Sequence, residues 1–258
     1  MPELPEVERA VRALRRATRG RTITRVEVLH PGLRRRLPAA VAGTLHGARI
    51  AAVERRGKHQ LLHLADGRVL HAHFRMTGDW VIQRNSAPMP RFARTVFTLD
   101  DGRRLVLDDP RALATLELHP ADAPPDLGLG LEPLDRALTA DHLHALLRKR
   151  RGSIKAALLD QRVIAGLGNI YVAESLWRAR ISPRVRASSL SLTRLTALIA
   201  AARSVIARAT GSRYTELGAA RLDVYDREGL KCRRCRTPIR RIVQAGRSTY
   251  FCLRCQSR

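Results

Sequence analysis

Acidic residues are scarce in this chain of 258 residues: 23 Asp and Glu stand against 48 Lys and Arg, a formal net charge of +25. Lysine is scarcer still. Only Lys58, Lys149, Lys155 and Lys231 occur, so nearly all the cations are arginines. A surplus of that size repels itself in a compact fold unless an anion binds it, which makes nucleic acid the first candidate partner and a membrane surface the second. No apolar run approaches the roughly 18 residues of a membrane span; the longest, near 195–209, is interrupted by Arg203 and Arg208. The opening Met-Pro-Glu-Leu-Pro-Glu carries acid and no apolar core, so it does not read as a secretory signal. Cysteine is absent until position 232, which excludes a disulfide framework spread through the chain. What remains is an ordinary globular balance, 45% apolar and 28% charged, which excludes a disordered tail protein. The cytoplasm is the expected address.

Periodicity divides the chain. Residues 3–16 place Leu4, Val7, Val11 and Leu14 on one helical face. Glu3, Glu6 and Glu8 lie early and Arg12, Arg15 and Arg16 late, as the helix dipole favours. From 22 to about 107 short β-prone runs follow (23–29, 49–53, 60–64), with Asp66-Gly67 and Asp101-Gly102 as hairpin turns. A stretch rich in Pro, Gly, Asp and Ala around 120–133 reads as a linker. Beyond it the period is helical over 141–150, 154–160, 170–180 and 191–209, with Asn169 and Ser191 as caps.

Three local features carry chemistry. Cys232-x2-Cys235 and Cys252-x2-Cys255 have the spacing of a four-thiolate structural zinc site, each pair forming one knuckle of a tetrahedron. The arginines between them are either a basic hairpin that meets DNA or a solvated surface. Second, Gly166-Leu-Gly168-Asn169 precedes a helix; such glycines form either a simple turn or a seat for an anion such as phosphate. Third, Met1 before Pro2 is normally trimmed, which leaves a secondary α-amine that is partly unprotonated near neutral pH. That amine can attack a carbonyl-like carbon and form an iminium, with Glu3 beside it to move protons. Pro and Glu also favour helix starts for structural reasons alone.

Taken in order, Met1-Pro-Glu-Leu-Pro-Glu-Val-Glu8, Arg55-Arg-Gly-Lys58, His73-Phe-Arg-Met-Thr-Gly78, Asp109-Pro-Arg111, Gly166-Leu-Gly-Asn-Ile-Tyr171, Val224-Tyr-Asp-Arg-Glu-Gly229 and the cysteine tail resemble the formamidopyrimidine-DNA glycosylase family, which also includes endonuclease VIII. The resemblance spans essentially the whole chain. It implies an α+β protein: an N-terminal antiparallel β-sandwich with a leading helix over 1–118, a linker over 119–136, a helix–two-turn–helix domain over 137–222 and a zinc ribbon over 223–258. It implies a base-excision DNA glycosylase with abasic-site lyase activity, a monomer with one structural Zn2+, acting at the nucleoid on damaged double-stranded DNA and not on membranes. Enzymes of this kind flip the damaged nucleotide out of the stack. Carried onto this chain, Pro2 would attack C1′ to form a Schiff base and Glu3 would be the general acid/base. Lys58 would assist β-elimination, and Arg247 would hold phosphate and assist δ-elimination. Met76, Arg111, Leu113, Arg150, Lys155, Gly168 and Asn169 would contact DNA, and Cys232, Cys235, Cys252 and Cys255 would hold the zinc.

Departures bear on the lesion. Where the family has Pro-Arg-Arg-Phe-Gly, this chain has Pro110-Arg-Ala-Leu-Ala114, so Leu113 replaces an aromatic wedge. The family's histidine-bearing segment reads Pro90-Arg-Phe-Ala-Arg94. Only 13 residues separate Thr210 from Val224, so the cap over a flipped purine is expected to be shortened. That favours formamidopyrimidines, oxidised pyrimidines or abasic sites over 8-oxoguanine. The alternatives are a DNA-damage-binding protein that kept the fold and lost the chemistry, and a zinc-ribbon adaptor for proteins. The intact set Pro2, Glu3 and Lys58 speaks against the first and the charge against the second.

Overall fold

The computed structural model describes residues 2–210 and 222–256. They form two compact units: Val7–Leu127 with Pro2, and Glu3–Glu6 with the described residues from Gly128 onward. The expected lesion cap concerns 211–223, of which 211–221 lie outside the described residues. Among the described residues no helix is long and apolar enough to cross a membrane.

The first unit is built on two four-stranded antiparallel sheets. One has the order β1 (Ile23–Val28), β6 (Ala93–Leu99), β7 (Arg103–Asp108), β5 (Asp79–Arg84); the other β2 (Ile50–Arg56), β3 (His59–Leu64), β4 (Val69–His73), β8 (Thr115–His119). Alternation decides which face is buried. On β3, Gln60, Leu62 and Leu64 are buried while His59, Leu61 and His63 are partly exposed. Phe97, Leu105 and Leu107 from one sheet share a core with Leu62, Leu70 and Leu116 from the other. The buried Trp80 indole donates to Gln60 Oε1 at 2.6 Å inside that core. Helix α1 (Leu4–Thr18) adds Val7, Ala10, Val11 and Leu14 to it, and the short helices α2 (Pro31–Arg34) and α3 (Ala39–Gly43) add Leu33 and Ala42. Both Asp-Gly pairs form hairpin turns as expected, with Gly67 and Gly102 at positive φ.

The second unit is helical. It contains α4 (Ala140–Leu147), α5 (Ile154–Leu159), α6 (Asn169–Arg178) and α7 (Leu192–Ala209), followed by the two-stranded ribbon β9 (Arg240–Gln244) and β10 (Arg247–Phe251). Leu143, Leu158, Tyr171, Leu176, Leu198 and Ile206 lie in its core, joined by Leu4 from the start of α1. Ser191 caps α7 as its sequence position predicts, accepting from the Arg194 amide. Asn169 is not the cap of α6. That position belongs to Gly168, which has no side chain to offer, and Asn169 is the first helical residue. Its amide group is used elsewhere.

Candidate active site

Glu3 is 1% exposed, and its carboxylate rests on the first turn of α6. Oε2 accepts from the Gly168 amide at 2.7 Å and the Tyr171 amide at 3.3 Å, and Oε1 from the Ile170 amide at 2.9 Å. A helix N-terminus has unpaired N–H groups and the positive end of the dipole, so it seats an anion. The glycine turn is therefore an anion seat, and the anion it holds is this chain's own carboxylate. The glycines allow the approach. A Cβ at Gly168 would lie 2.3 Å from Glu3 Cδ, and one at Gly166, whose φ is +89°, would lie 2.5 Å from Leu4 Cδ1.

Glu6 completes the seat from the other side. Its carboxylate accepts from the Glu3 backbone amide at 2.9 Å, half of a capping box, and from the Tyr171 hydroxyl at 2.6 Å. Burial and then the Glu6 charge push the Tyr171 phenol above its ordinary range, so it remains a donor. One turn along α6, buried Glu174 accepts from the amides of Asp223, Val224 and Tyr225, each at 2.9 Å, and so ties the start of the tail to the helix. Burial raises its carboxyl. The sequence motifs contain Glu6 and Tyr171 but assign neither of them, nor Glu174, a role in the site. Glu6 had a signal, the three-residue spacing from Glu3; the other two are defined only by partners far along the chain.

Three candidate basic or amide residues converge on the ribbon. Lys155 is buried, and its Nζ donates to the Ser248 carbonyl at 2.9 Å and the Thr249 hydroxyl at 2.5 Å. Asn169 Nδ2 donates to the same Ser248 carbonyl at 3.0 Å. Arg247, the preceding residue, is exposed. Burial and the Arg247 guanidinium lower the Lys155 ammonium to about 8. Arg150 pairs with Asp160 at 3.0 Å.

The four cysteines meet as their spacing predicts. Sγ of Cys232 lies 3.9 Å from that of Cys255, and Sγ of Cys235 3.4 Å from that of Cys252, with all four within 4.8 Å. A tetrahedral zinc with bonds of about 2.3 Å places its sulfurs about 3.8 Å apart, so the set fits one ion. The Trp177 indole donates to Cys232 Sγ at 3.4 Å, and the Arg234 guanidinium lies 4.2 Å from the Trp177 ring centroid.

In the first unit, Lys58 is 8% exposed in the turn between β2 and β3, next to Gly57 at positive φ. Pro2 is partly exposed. Met76, Arg111 and Leu113 are exposed. Fully buried Asp109 organises the loop that carries two of them. Its Oδ2 accepts from the amides of Leu113 and Ala114 at 2.7 Å each, and its Oδ1 from the Arg111 amide at 3.2 Å and from the Thr77 hydroxyl. Ala112 between them takes φ +53°.

Residues 1–116 match the formamidopyrimidine-DNA glycosylase N-terminal domain, 129–217 the H2TH domain of the same enzyme, and 229–258 a zinc finger found in FPG and IleRS. The chain belongs to the formamidopyrimidine-DNA glycosylase family. Formamidopyrimidine-DNA glycosylases of Rhizorhabdus wittichii and a Nocardioides species are 42% and 41% identical to it, over 99% of this chain and 100% and 94% of theirs. Among solved family structures, MutM in complex with carbocyclic 8-oxo-G containing DNA superposes with a TM-score of 0.90 at 32% identity, covering both chains fully. Lactococcus lactis FPG with FAPY-dG containing DNA gives 0.91 at 30%, over 99% of this chain and 100% of that one.

Proposed function

We propose that this chain is a base-excision repair enzyme that removes an oxidised base from double-stranded DNA and then cleaves the strand at the resulting abasic site. The observation that carries the proposal is the placement of Glu3. A carboxylate directly after Pro2 is buried and held by three backbone amides, a fixed position suited to proton transfer at a sugar held beside the N-terminus. Family membership and the DNA complexes of the solved relatives support the substrate class, and the +25 charge supports binding through phosphates.

In the proposed mechanism Met1 has been removed and the Pro2 nitrogen lone pair attacks C1′ of the flipped nucleotide. The C1′–N bond breaks, and its electron pair leaves with the base, which takes up a proton. Glu3 takes up the proton that the bonded Pro2 nitrogen loses and delivers it to the ring oxygen as the C1′–O4′ bond opens, leaving an iminium between Pro2 and C1′. Loss of a C2′ proton pushes electrons toward C3′ and expels the 3′ phosphate; water then hydrolyses the imine. Lys58 and Arg247 hold phosphate through these steps, with Lys155 and Asn169 positioning the ribbon that carries Arg247. The zinc site holds that ribbon and takes no part in the chemistry.

Borohydride trapping tests the proposal. Purified protein is incubated with duplexes carrying an abasic site, 8-oxoguanine, formamidopyrimidine-guanine or thymine glycol. A covalent adduct that disappears when an N-terminal extension turns the Pro2 nitrogen into an amide is the expected result. Tight, salt-sensitive binding with no adduct on any duplex would identify a damage-binding protein of the same fold instead.

A further inference from the structure

Nine histidines occur in the chain, and five of them, His59, His63, His71, His73 and His119, lie on three neighbouring strands of one sheet. His71 on β4 pairs directly with Glu117 on β8, and Val69 with His119, so His71 lies across from the carboxylate and His119 two residues along β8 from it. All three residues are partly exposed, and one ligand atom from each lies within 4.8 Å of the others. The histidine rings are in contact, with the centroids of His71 and His119 5.6 Å apart.

Ordinary outward polar positions do not explain the details. His119 Nε2 is buried and has no hydrogen-bond partner. The nearest Glu117 oxygen, Oε2, is 3.9 Å away, too far for a hydrogen bond. Two ligands bound at about 2.0–2.2 Å to a tetrahedral ion lie about 3.3–3.6 Å apart, so a shift of a few tenths of an ångström brings both onto a common ion. The other carboxylate oxygen, Oε1, is held by Arg36, which leaves Oε2 for the ion. His71 is oriented as metal ligands commonly are, by a second partner on its ring: His59 Nδ1 meets His71 Nε2 at 2.7 Å. Paired strands provide a rigid base for the set.

We propose that His71, Glu117 and His119 bind a divalent transition-metal ion on this face of the sheet, separate from the four-cysteine site. Two imidazoles and one carboxylate form a borderline nitrogen and oxygen set that suits Zn2+, Ni2+ or Cu2+ and is a poor match for Mg2+ or Ca2+. Three protein ligands leave an open coordination position for water or an exchangeable group. His59 is the positioning residue.

The test is a Zn2+ titration of the full chain already loaded at its cysteines, read by calorimetry and by zinc content after dialysis. One further ion per chain is expected. His71→Ala and His119→Ala each abolish it while leaving the cysteine-bound zinc in place, and His59→Ala weakens it by about tenfold, the usual effect of removing a ligand's supporting partner. Mg2+ does not compete. A second measurement needs no variant: Ni2+ added to wild-type protein broadens the imidazole NMR signals of His71 and His119 before those of His142 and His144. No further ion, or a further ion bound equally well by both alanine variants, or broadening that spares His71 and His119, would overturn the assignment.

Discussion

Replacing Gly168 by alanine tests the site with one methyl group. The backbone there is extended, at φ −132° and ψ −162°, which alanine adopts without strain. The cost therefore comes from space. The new Cβ would lie 2.3 Å from Glu3 Cδ and 2.4 Å from its Oε1, so the carboxylate must leave its seat. Three amide donors then lose a charged acceptor in a buried place. Hydrogen bonds to charged groups contribute about 1.5–3 kcal/mol each, and overpacking costs about 1–3 kcal/mol. Water and local relaxation recover part of this, so the expected net loss is about 3 kcal/mol. At about 2–4 °C per kcal/mol the melting temperature falls by about 6–12 °C. If Glu3 moves protons, base excision under single-turnover conditions falls by about a hundredfold or more, the usual contribution of a positioned acid or base. Gly152→Ala in the same unit is the control, since nothing lies within 4 Å of its added Cβ; it should melt at or slightly above wild type. A Gly168→Ala protein that melts within about 1 °C of wild type and excises at the wild-type rate would refute the seat as a functional element.

Three further outcomes follow from the same contacts. Asp109→Ala removes the carboxylate that accepts from the Arg111, Leu113 and Ala114 amides, the last of them buried; denaturant unfolding should register a loss of about 1–3 kcal/mol, and strand cleavage should fall because Arg111 and Leu113 lose their fixed loop. Lys155, lowered from 10.5 to about 8 by burial and Arg247, carries a cost when charged. Between about pH 8 and 10.5 the unfolded chain binds the extra proton, so this group's contribution to stability rises with pH through that window and its cost is fully present below pH 8. Comparing wild type with Lys155→Met across the window checks the sign: the wild type should gain on the variant as pH rises. Cys252→Ser removes one of four thiolates and should release the zinc, measured by metal analysis; hydrogen exchange should then speed up in β9 and β10 while β3 and β4 stay protected.

The cysteine site was legible in the sequence because its chemistry is local: two knuckles of fixed spacing need only a hairpin to meet, and they do. Ser191 is local in the same way, a side chain that caps the helix it precedes. The leading helix and the Asp-Gly hairpins followed from periodicity and turn chemistry, which act within a few residues. Pro2 and Glu3 could be named from the sequence, but the state of Glu3 could not. Its partners are Gly168, Ile170 and Tyr171, about 165 residues away, brought together where Leu4 packs into the helical core and Glu6 accepts from the Tyr171 hydroxyl. The same holds for Lys155 and Asn169, whose shared acceptor is the Ser248 carbonyl, and for the histidine face, assembled from β3, β4 and β8 by strand register. Residue types and short spacings thus settled the family, the zinc ligands and the elements. Tertiary structure decided which buried charges are satisfied, because that depends on donors contributed by distant segments once water has been excluded.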